Sequence, residues 1–224
     1  MHALLLDTET TGLNEPEIIE VAGLYLNTPR DLGTGEPGVQ RYRPGKPIEF
    51  GAMATHHILD AELVDCPPSS SFRFPEGVSY LVGHNIDFDW KVIGSPAVKR
   101  IDTLAMSRKL WPDGGHSQSA LAYRLTNNPQ QMREWLRSAH SAGADVKTCR
   151  WLLGHIVQRI PAAATESWEA LWEYSEWTRI PDLMPFGKHK GARIADLPAD
   201  YVAWALTNVT DMDPYLRKAL EDVQ

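Results

Sequence analysis

The sequence predicts an α/β protein whose mixed β-sheet is flanked by helices, and three patterns support this fold class. Residues 3–6, Ala-Leu-Leu-Leu, form an apolar run without alternation, which is typical of a central strand buried on both faces. The segment EIIEVAGLYL, at residues 17–26, indicates a second strand of the same kind. Short strand patterns at residues 80–83 and 99–101 are each followed by a helical pattern. Early strands followed by strand-helix pairs predict a mixed sheet with helices packed on it.

The other elements of this first part follow from polar spacing and helical periodicity. VQRYRP, at residues 39–44, is more polar and predicts a third strand at a sheet edge. Asn85 is suited to cap a short helix that begins at Phe88. A longer helix is predicted from Val146, because apolar residues recur at helical intervals until Pro161 ends the pattern.

The remainder of the chain predicts a helix and then a small α-rich module. One face of the segment TESWEALWEYSEW holds Trp168, Leu171, Trp172 and Ser175. Packing on the preceding domain is the expected role, and a partner-binding helix is the alternative. Further on, Pro198 and Pro214 fit first-turn helix positions. We expect a domain at residues 1–162, a helical connector at 163–182 and the module at 183–224.

Composition and charge are those of a globular protein. Hydrophobic residues make up 43% of the 224 and charged residues 23%, and the net charge is −7. The sequence has no apolar run of membrane-spanning length and no N-terminal signal pattern, so we expect a cytoplasmic protein without membrane contacts. Cys66 and Cys149 are too few for a disulfide framework.

The first two candidate ligands end the first strand. Asp7 and Glu9 are two residues apart, and alternate side chains of a strand point to the same side. The two carboxylates can therefore bind one cation. A solvated turn is the alternative, since so short a motif recurs by chance.

A second pair of acids lies where the short helix begins. On a helix, Asp87 and Asp89 project about 200° apart, so only one of them is expected to face the cleft near Asp7. The other is then a first-turn acid that the helix dipole favours. The spacing alone leaves both assignments open.

His140 and Asp145 lie around the start of the long helix. Five residues span about 140° on an ideal helix, so His140 shares the side of Asp145 only if it lies in the irregular segment before the helix. Gly143 is compatible with such a segment. A structural role is the alternative for a lone histidine, but its position beside the last carboxylate favours a catalytic one.

Taken together, these motifs resemble a known family. LLLDTETTG, HNIDFD and H-x4-D occur in the order found in the DEDDh exonucleases, a group that includes the proofreading subunit of bacterial replicative polymerase. RIDTLAMSRKLWP also resembles that group, and the tail MPFGKHKGARIADLPADYVAWAL resembles a C-terminal module of some members. The resemblance implies a ribonuclease H-like fold for the first domain.

The resemblance also implies roles for individual residues. Asp7, Glu9, Asp89 and Asp145 would be the metal ligands, with Asp89 preferred to Asp87 because the family's aspartate follows a phenylalanine. His140 would be the general base. Carboxylate oxygens suit hard cations, so the expected cofactors are two Mg²⁺ ions, with Mn²⁺ also supporting activity.

The expected activity is 3′-to-5′ exodeoxyribonuclease hydrolysis that releases nucleoside 5′-monophosphates. Its partners would be DNA 3′ ends, single-stranded or in a duplex. Residues near the motifs are expected to hold the terminal nucleotide, although packing or turn chemistry is the alternative for each. They are Thr10, Gly12, Leu13, His56, Ile58, Asn85 and Phe88.

Several alternatives stay open at the level of sequence. An exoribonuclease would use the same motif set, and a polymerase-associated interaction subunit would use the same fold. The basic turn FGKHKGARIADLP, with Lys188, His189, Lys190 and Arg193, either contacts DNA phosphates or is a solvated turn between helices. The sequence does not set strand preference, processivity, pathway or oligomeric state, and a homodimer is one option.

Overall fold

A computed structural model describes residues 2–224 and contains one five-stranded sheet. The strand order is β3-β2-β1-β4-β5. β1 pairs antiparallel with β2 and parallel with β4, while β2–β3 is antiparallel and β4–β5 is parallel. The strands are β1 His2–Thr10, β2 Ile18–Leu26, β3 Gly38–Arg41, β4 Val78–Gly83 and β5 Lys99–Asp102. This mixed sheet confirms the predicted fold class.

β1 is the central strand of the sheet, and its alternate side chains are buried in two different cores. Ala3 and Leu5 belong to the core beneath one face of the sheet, and Leu4 and Leu6 belong to the core on the other face. Burial on both faces explains the apolar run without alternation. Asp7 and Glu9 lie in the last part of this central strand.

Helices of the first unit pack on the sheet, and the helices at residues 87–92 and 103–110 closely follow β4 and β5. α6 packs its buried residues, including Leu152 and Ile156, into the same core as Leu5. The helices are α1 Phe50–His56, α2 Asp87–Val92, α3 Thr103–Leu110, α4 Gln118–Leu125, α5 Pro129–Trp135, α6 Ala142–Val157, α7 Trp168–Arg179, α8 Ala199–Asn208 and α9 Pro214–Glu221. Short 3₁₀ turns lie at Asp60–Leu63, Ser69–Ser71, Leu136–Ser138, Ala162–Thr165 and Ile194–Asp196.

Two local predictions were wrong in detail. Asn85 does not cap α2: Ile86 is the N-cap, and Asn85 adopts a left-handed backbone with φ of 65°. Asparagine tolerates that conformation, so it serves the turn from β4 into the helix. Pro198 precedes the first turn of α8 as its N-cap, whereas Pro214 does lie in the first turn of α9.

The chain divides into two compact units, one up to Ser175 and one spanning Glu176–Gln224. The second unit has its own core, which confirms the α-rich C-terminal module. That core contains Met184, Ile194, Val202, Ala205, Met212, Leu216, Ala219 and Leu220. The domain boundaries at 162 and 182 stay a prediction. Within residues 2–224, every helix is too short or too polar to span a bilayer.

Candidate active site

Three carboxylates meet where β1 ends. Asp7 and Glu9 lie on β1, and Asp145 lies in the first turn of α6. One oxygen from each lies within 4.8 Å of the others. A strand end and a helix start, joined by the packing of α6 on β1, therefore bring together acids separated by more than a hundred residues.

Asp89 lies beside this group and is held by the strand. Its Oδ1 accepts hydrogen bonds from the Thr8 backbone N at 2.9 Å and from Thr8 Oγ1 at 2.7 Å. The side chain is buried, and its charge raises the pKa of Asp7. Asp89 is not one of the three closest acids, but it lies near enough to Asp7 to act as a fourth carboxylate of the group.

Asp87 points elsewhere. Its Oδ1 accepts a 2.7 Å hydrogen bond from Nη1 of Arg100, a residue of β5. The Arg100 guanidinium also lies over the Trp90 ring, at 4.2 Å from its centroid. The structure thus brings Asp89, and not Asp87, to the side of Asp7.

Burial and mutual repulsion disfavour the charged forms of these acids. Burial is the main cause that raises the pKa of Glu9 to about 8, followed by repulsion from Asp145, Glu20 and Asp89. Burial and the same kind of repulsion raise the pKa of Asp7 well above its usual value. Burial also raises the pKa of Asp145 to about 6. A bound cation would favour the charged forms of all these groups.

His140 lies before the first turn of α6, outside the regular helix as predicted, but the helix already begins at Ala142, so Gly143 is helical and not part of the irregular segment. The backbone of His140 is left-handed, with φ of 66°, and its N–H donates to Asp145 Oδ2 at 3.2 Å. The imidazole is exposed. This turn places a solvent-accessible ring next to the last carboxylate of the cluster.

Glu20 is a buried carboxylate that sequence reasoning missed. It lies opposite Glu9 in the β1–β2 pair and is 3% exposed. Its Oε2 accepts from Arg41 Nε at 2.8 Å, and its Oε1 accepts from the Ala142 backbone N at 3.0 Å. Its position within the apolar run IIEVA was an available signal, because a glutamate is rarely fully buried unless it is paired.

A pocket of about 440 Å³ adjoins the acids. Of the predicted nucleotide contacts, it is lined by Thr10, Gly12, Leu13, His56 and Phe88. Thr8, Glu9, Glu49, Gly51, Ala52 and Thr55 complete the lining. Leu13 is 83% exposed, so an apolar side chain is available beside the opening.

His56 contributes a buried polar atom to this pocket. The residue is 7% exposed, and its Nδ1 accepts the Ile58 N–H at 3.0 Å. Within residues 2–224, Nε2 has no hydrogen bond of good geometry, although the nearby Thr10 backbone offers it a partner. Burial lowers the pKa of His56, which favours the neutral ring with its proton on Nε2.

The other two predicted contacts do not line the pocket. Ile58 is buried in a small core with Ile19, Ile48 and Leu63 and supports His56 through its backbone. Asn85 is exposed, and its backbone N donates to Asp102 Oδ1 at 2.9 Å.

Comparison with known families and proteins identifies relatives for both units. The family described as Exonuclease matches residues 4–152, and the family described as Putative quorum-sensing-regulated virulence factor matches residues 178–208. Exodeoxyribonuclease 10 of Escherichia coli is 30% identical over 224 residues, covering 97% of this chain and 96% of that protein. DNA polymerase III subunit epsilon of Buchnera aphidicola is 30% identical over 178 residues, or 69% of this chain and 70% of that protein.

Solved structures agree with this assignment. Exonuclease X in complex with 5′ overhanging duplex DNA has a TM-score of 0.57 and 28% identity, and the match covers 70% of this chain and 91% of that one. Exonuclease I of E. coli in complex with a dA16 oligonucleotide has a TM-score of 0.55 at 17% identity, covering 82% of this chain and 46% of that one. The second match shows a shared fold.

Proposed function

The chain belongs to the exonuclease family, and on that basis we propose that it hydrolyses DNA from the 3′ end and releases nucleoside 5′-monophosphates. The observation that carries the proposal is the group formed by Asp7, Glu9 and Asp145, whose oxygens lie within 4.8 Å of one another. Such a group, beside a pocket with an apolar rim and a buried donor, suits an anionic chain end held by cations.

The choice of DNA over RNA rests on the relatives. Exodeoxyribonuclease 10 matches 97% of this chain, whereas the polymerase subunit of B. aphidicola matches 69%. The longer match spans the C-terminal unit as well as the catalytic one. It favours a free-standing DNA exonuclease over an interaction subunit.

The donor set fits two divalent cations, Mg²⁺ or Mn²⁺. Asp7, Glu9, Asp89 and Asp145 offer only carboxylate oxygens, which hard cations prefer, and burial raises the pKa of each, so bound cations would stabilise the charged forms that burial disfavours. When bound, such ions place positive charge at the phosphate and lower the pKa of a water molecule. Two hydrogen bonds from Thr8 hold Oδ1 of Asp89, which supports a ligand role for its carboxylate.

His140 is the proposed general base. Histidine is the side chain that most often takes a proton in a hydrolytic step. The exposed ring of His140 is held next to the cluster because the backbone N–H of the same residue donates to Asp145. It would accept the proton of the attacking water, while the acids would hold the cations that neutralise the phosphate.

The pocket is proposed to hold the terminal nucleotide. His56 Nε2 presents a buried N–H donor, so an oxygen of that nucleotide would complete its hydrogen bonding. Phe88 and Leu13 offer apolar surface for the base. The remaining predicted contacts, Ile58 and Asn85, would act by supporting the pocket and not by lining it.

A labelling experiment tests the proposal. Oligonucleotides of matched sequence in DNA and RNA, labelled at the 5′ end, are incubated with the protein and Mg²⁺. We expect a ladder that shortens from the 3′ end, faster on DNA, with nucleoside 5′-monophosphates as product. Chelator should stop the reaction and added Mg²⁺ restore it, with Asp7→Asn as the inactive control. Undiminished hydrolysis in excess chelator would refute the metal mechanism, and faster cleavage of RNA would refute the choice of DNA.

A further inference from the structure

The C-terminal unit carries an exposed aromatic surface that its own fold does not require. The His189 and Tyr201 rings are 4.3 Å apart between centroids. The Tyr201 and Trp204 rings are 5.8 Å apart, with 29° between their planes. Trp204 is nevertheless 53% exposed. We call His189, Tyr201 and Trp204 the aromatic ladder.

α8 presents Trp204 away from its most buried residues. Val202 and Ala205 are buried in the core of the unit and Tyr201 packs against that core, whereas Trp204, three residues after Tyr201, is exposed beside the Tyr201 ring. More than half of the Trp204 side chain stays in water, and Trp204 is not one of the residues that form this core. The structure of the unit therefore gives no internal reason for a ring of this size at position 204.

The turn before α8 lies close to Tyr201. Met184 N donates to Ala192 O at 2.9 Å, and Gly191 N donates to Met184 O at 2.8 Å, which closes the turn. Gly187 has a φ of 72°, and a Cβ there would meet Tyr201 Oη at 3.5 Å. Glycine supplies this conformation at low cost and lets the turn approach the ring.

The turn concentrates positive charge beside the ladder. Residues 183–195 contain Lys188, Lys190 and Arg193 and no carboxylate. Both lysines are exposed. The Arg193 side chain is also exposed, and its Nε lies 4.0 Å from Asp196, the limit of an ion pair. Cations flanking stacked rings form a surface that is complementary to a chain of phosphates and bases.

We propose that the aromatic ladder and the basic turn bind an unpaired nucleic-acid strand. A base would stack on the exposed ring of Trp204, and Lys188 and Lys190 would contact phosphates. Sequence-tolerant binding of single strands uses this combination of flat aromatic side chains and cations, because every base has a π-face and every nucleotide a charge. The site goes beyond the proposed hydrolysis, which it serves only by holding the same strand.

Fluorescence anisotropy of the full chain tests this site without hydrolysis. The protein carries Asp7→Asn and is kept in chelator, and the probe is a fluorescent single-stranded dT20. Trp204→Leu, which keeps apolar bulk but removes the π-face, is expected to weaken binding roughly 10-fold, and Trp204→Phe to restore most of it. The double change Lys188→Gln with Lys190→Gln should make the negative slope of log K against log salt shallower by about 1.4. Lys218→Gln, which changes an exposed lysine on α9, is the control and should leave the slope unchanged.

Each result decides for or against the site. Unchanged affinity in Trp204→Leu would overturn the proposal, and so would loss of binding in the lysine variant alone, which would indicate a surface for any polyanion. Circular dichroism confirms that each variant is folded. Because binding is measured in chelator, a failed hydrolysis experiment with normal, Trp204-dependent binding would refute the proposed activity and leave this site standing.

Discussion

Replacing Glu20 tests how much the hydrogen bond between β2 and the start of α6 stabilises the fold. The Ala142 backbone N, at the start of α6, is buried and donates only to Glu20 Oε1, at 3.0 Å, among the contacts of residues 2–224. The other oxygen, Oε2, accepts from Arg41 at 2.8 Å. Glu20→Ala removes both acceptors, whereas Glu20→Gln keeps one oxygen that can face Ala142.

The expected cost follows from burial. A buried N–H without an acceptor costs about 1–3 kcal/mol, so Glu20→Ala should lose roughly 2 kcal/mol of unfolding free energy. Arg41 is 39% exposed and keeps Glu62 as a partner at 3.2 Å, so its loss adds little. Glu20→Gln should cost much less, because the glutamine oxygen still accepts from Ala142 and only the solvent-accessible contact to Arg41 is lost. Removing the charge also relieves repulsion on Glu9.

Thermal unfolding in chelator measures the difference. For a chain of this size, about 2 kcal/mol corresponds to a fall in melting temperature of roughly 4–8 °C. Hydrogen exchange at the Ala142 amide gives a local readout and should accelerate in Glu20→Ala. Glu62→Gln, which changes the exposed partner of Arg41, is the matched control and should leave both readings unchanged. An alanine variant as stable as the parent, or a glutamine variant as damaged as alanine, would refute this account of the anchoring.

Three further results are expected. In chelator, the melting temperature should fall as pH rises from about 4.5 to about 8, because folded Glu9 keeps its proton over that window while the unfolded chain has lost it. Mg²⁺ should reverse this fall, and a flat profile without metal would contradict the burial of these charges. Asp89→Asn should lower kcat/KM roughly 100-fold or more, whereas Asp87→Asn should retain activity, and the opposite ranking in a steady-state assay would exchange their roles. His140→Ala should lower kcat by roughly 10²–10⁴-fold with a smaller effect on KM, and a selective rise in KM would indicate a binding role instead.

Much of the sheet could be predicted because its residues are buried in simple patterns. Residues 3–6 are apolar on both faces since β1 is central, and Val39 on β3 is half exposed since that strand lies at an edge. The cap of α2 could not be predicted. Asn85 is a good capping residue by type, but the turn from β4 requires a left-handed residue there, and this requirement arises from tertiary packing.

In the candidate site, too, some features could be predicted from the sequence and others depended on the tertiary structure. Motif order was enough to indicate the family, which the comparisons confirm. It could not choose between Asp87 and Asp89 by spacing, since the choice depends on which helix face meets Thr8 and which meets Arg100. Glu20 was missed for a related reason: its partner Ala142 is a backbone group on a distant helix, and a backbone N–H leaves no trace in sequence.

The sequence by itself indicated the family of this protein, through acids in a fixed order, a histidine shortly before the last of them, and a basic turn in the tail. These are properties of residue types and short spacings, which local patterns record. Only the tertiary structure decided which aspartate lies beside Asp7, that Glu20 joins β2 to α6, that the buried His56 lines the pocket, and that Trp204 remains exposed. Those outcomes depend on contacts between distant segments, because burial and partnership are set by the whole fold and not by neighbours in the chain.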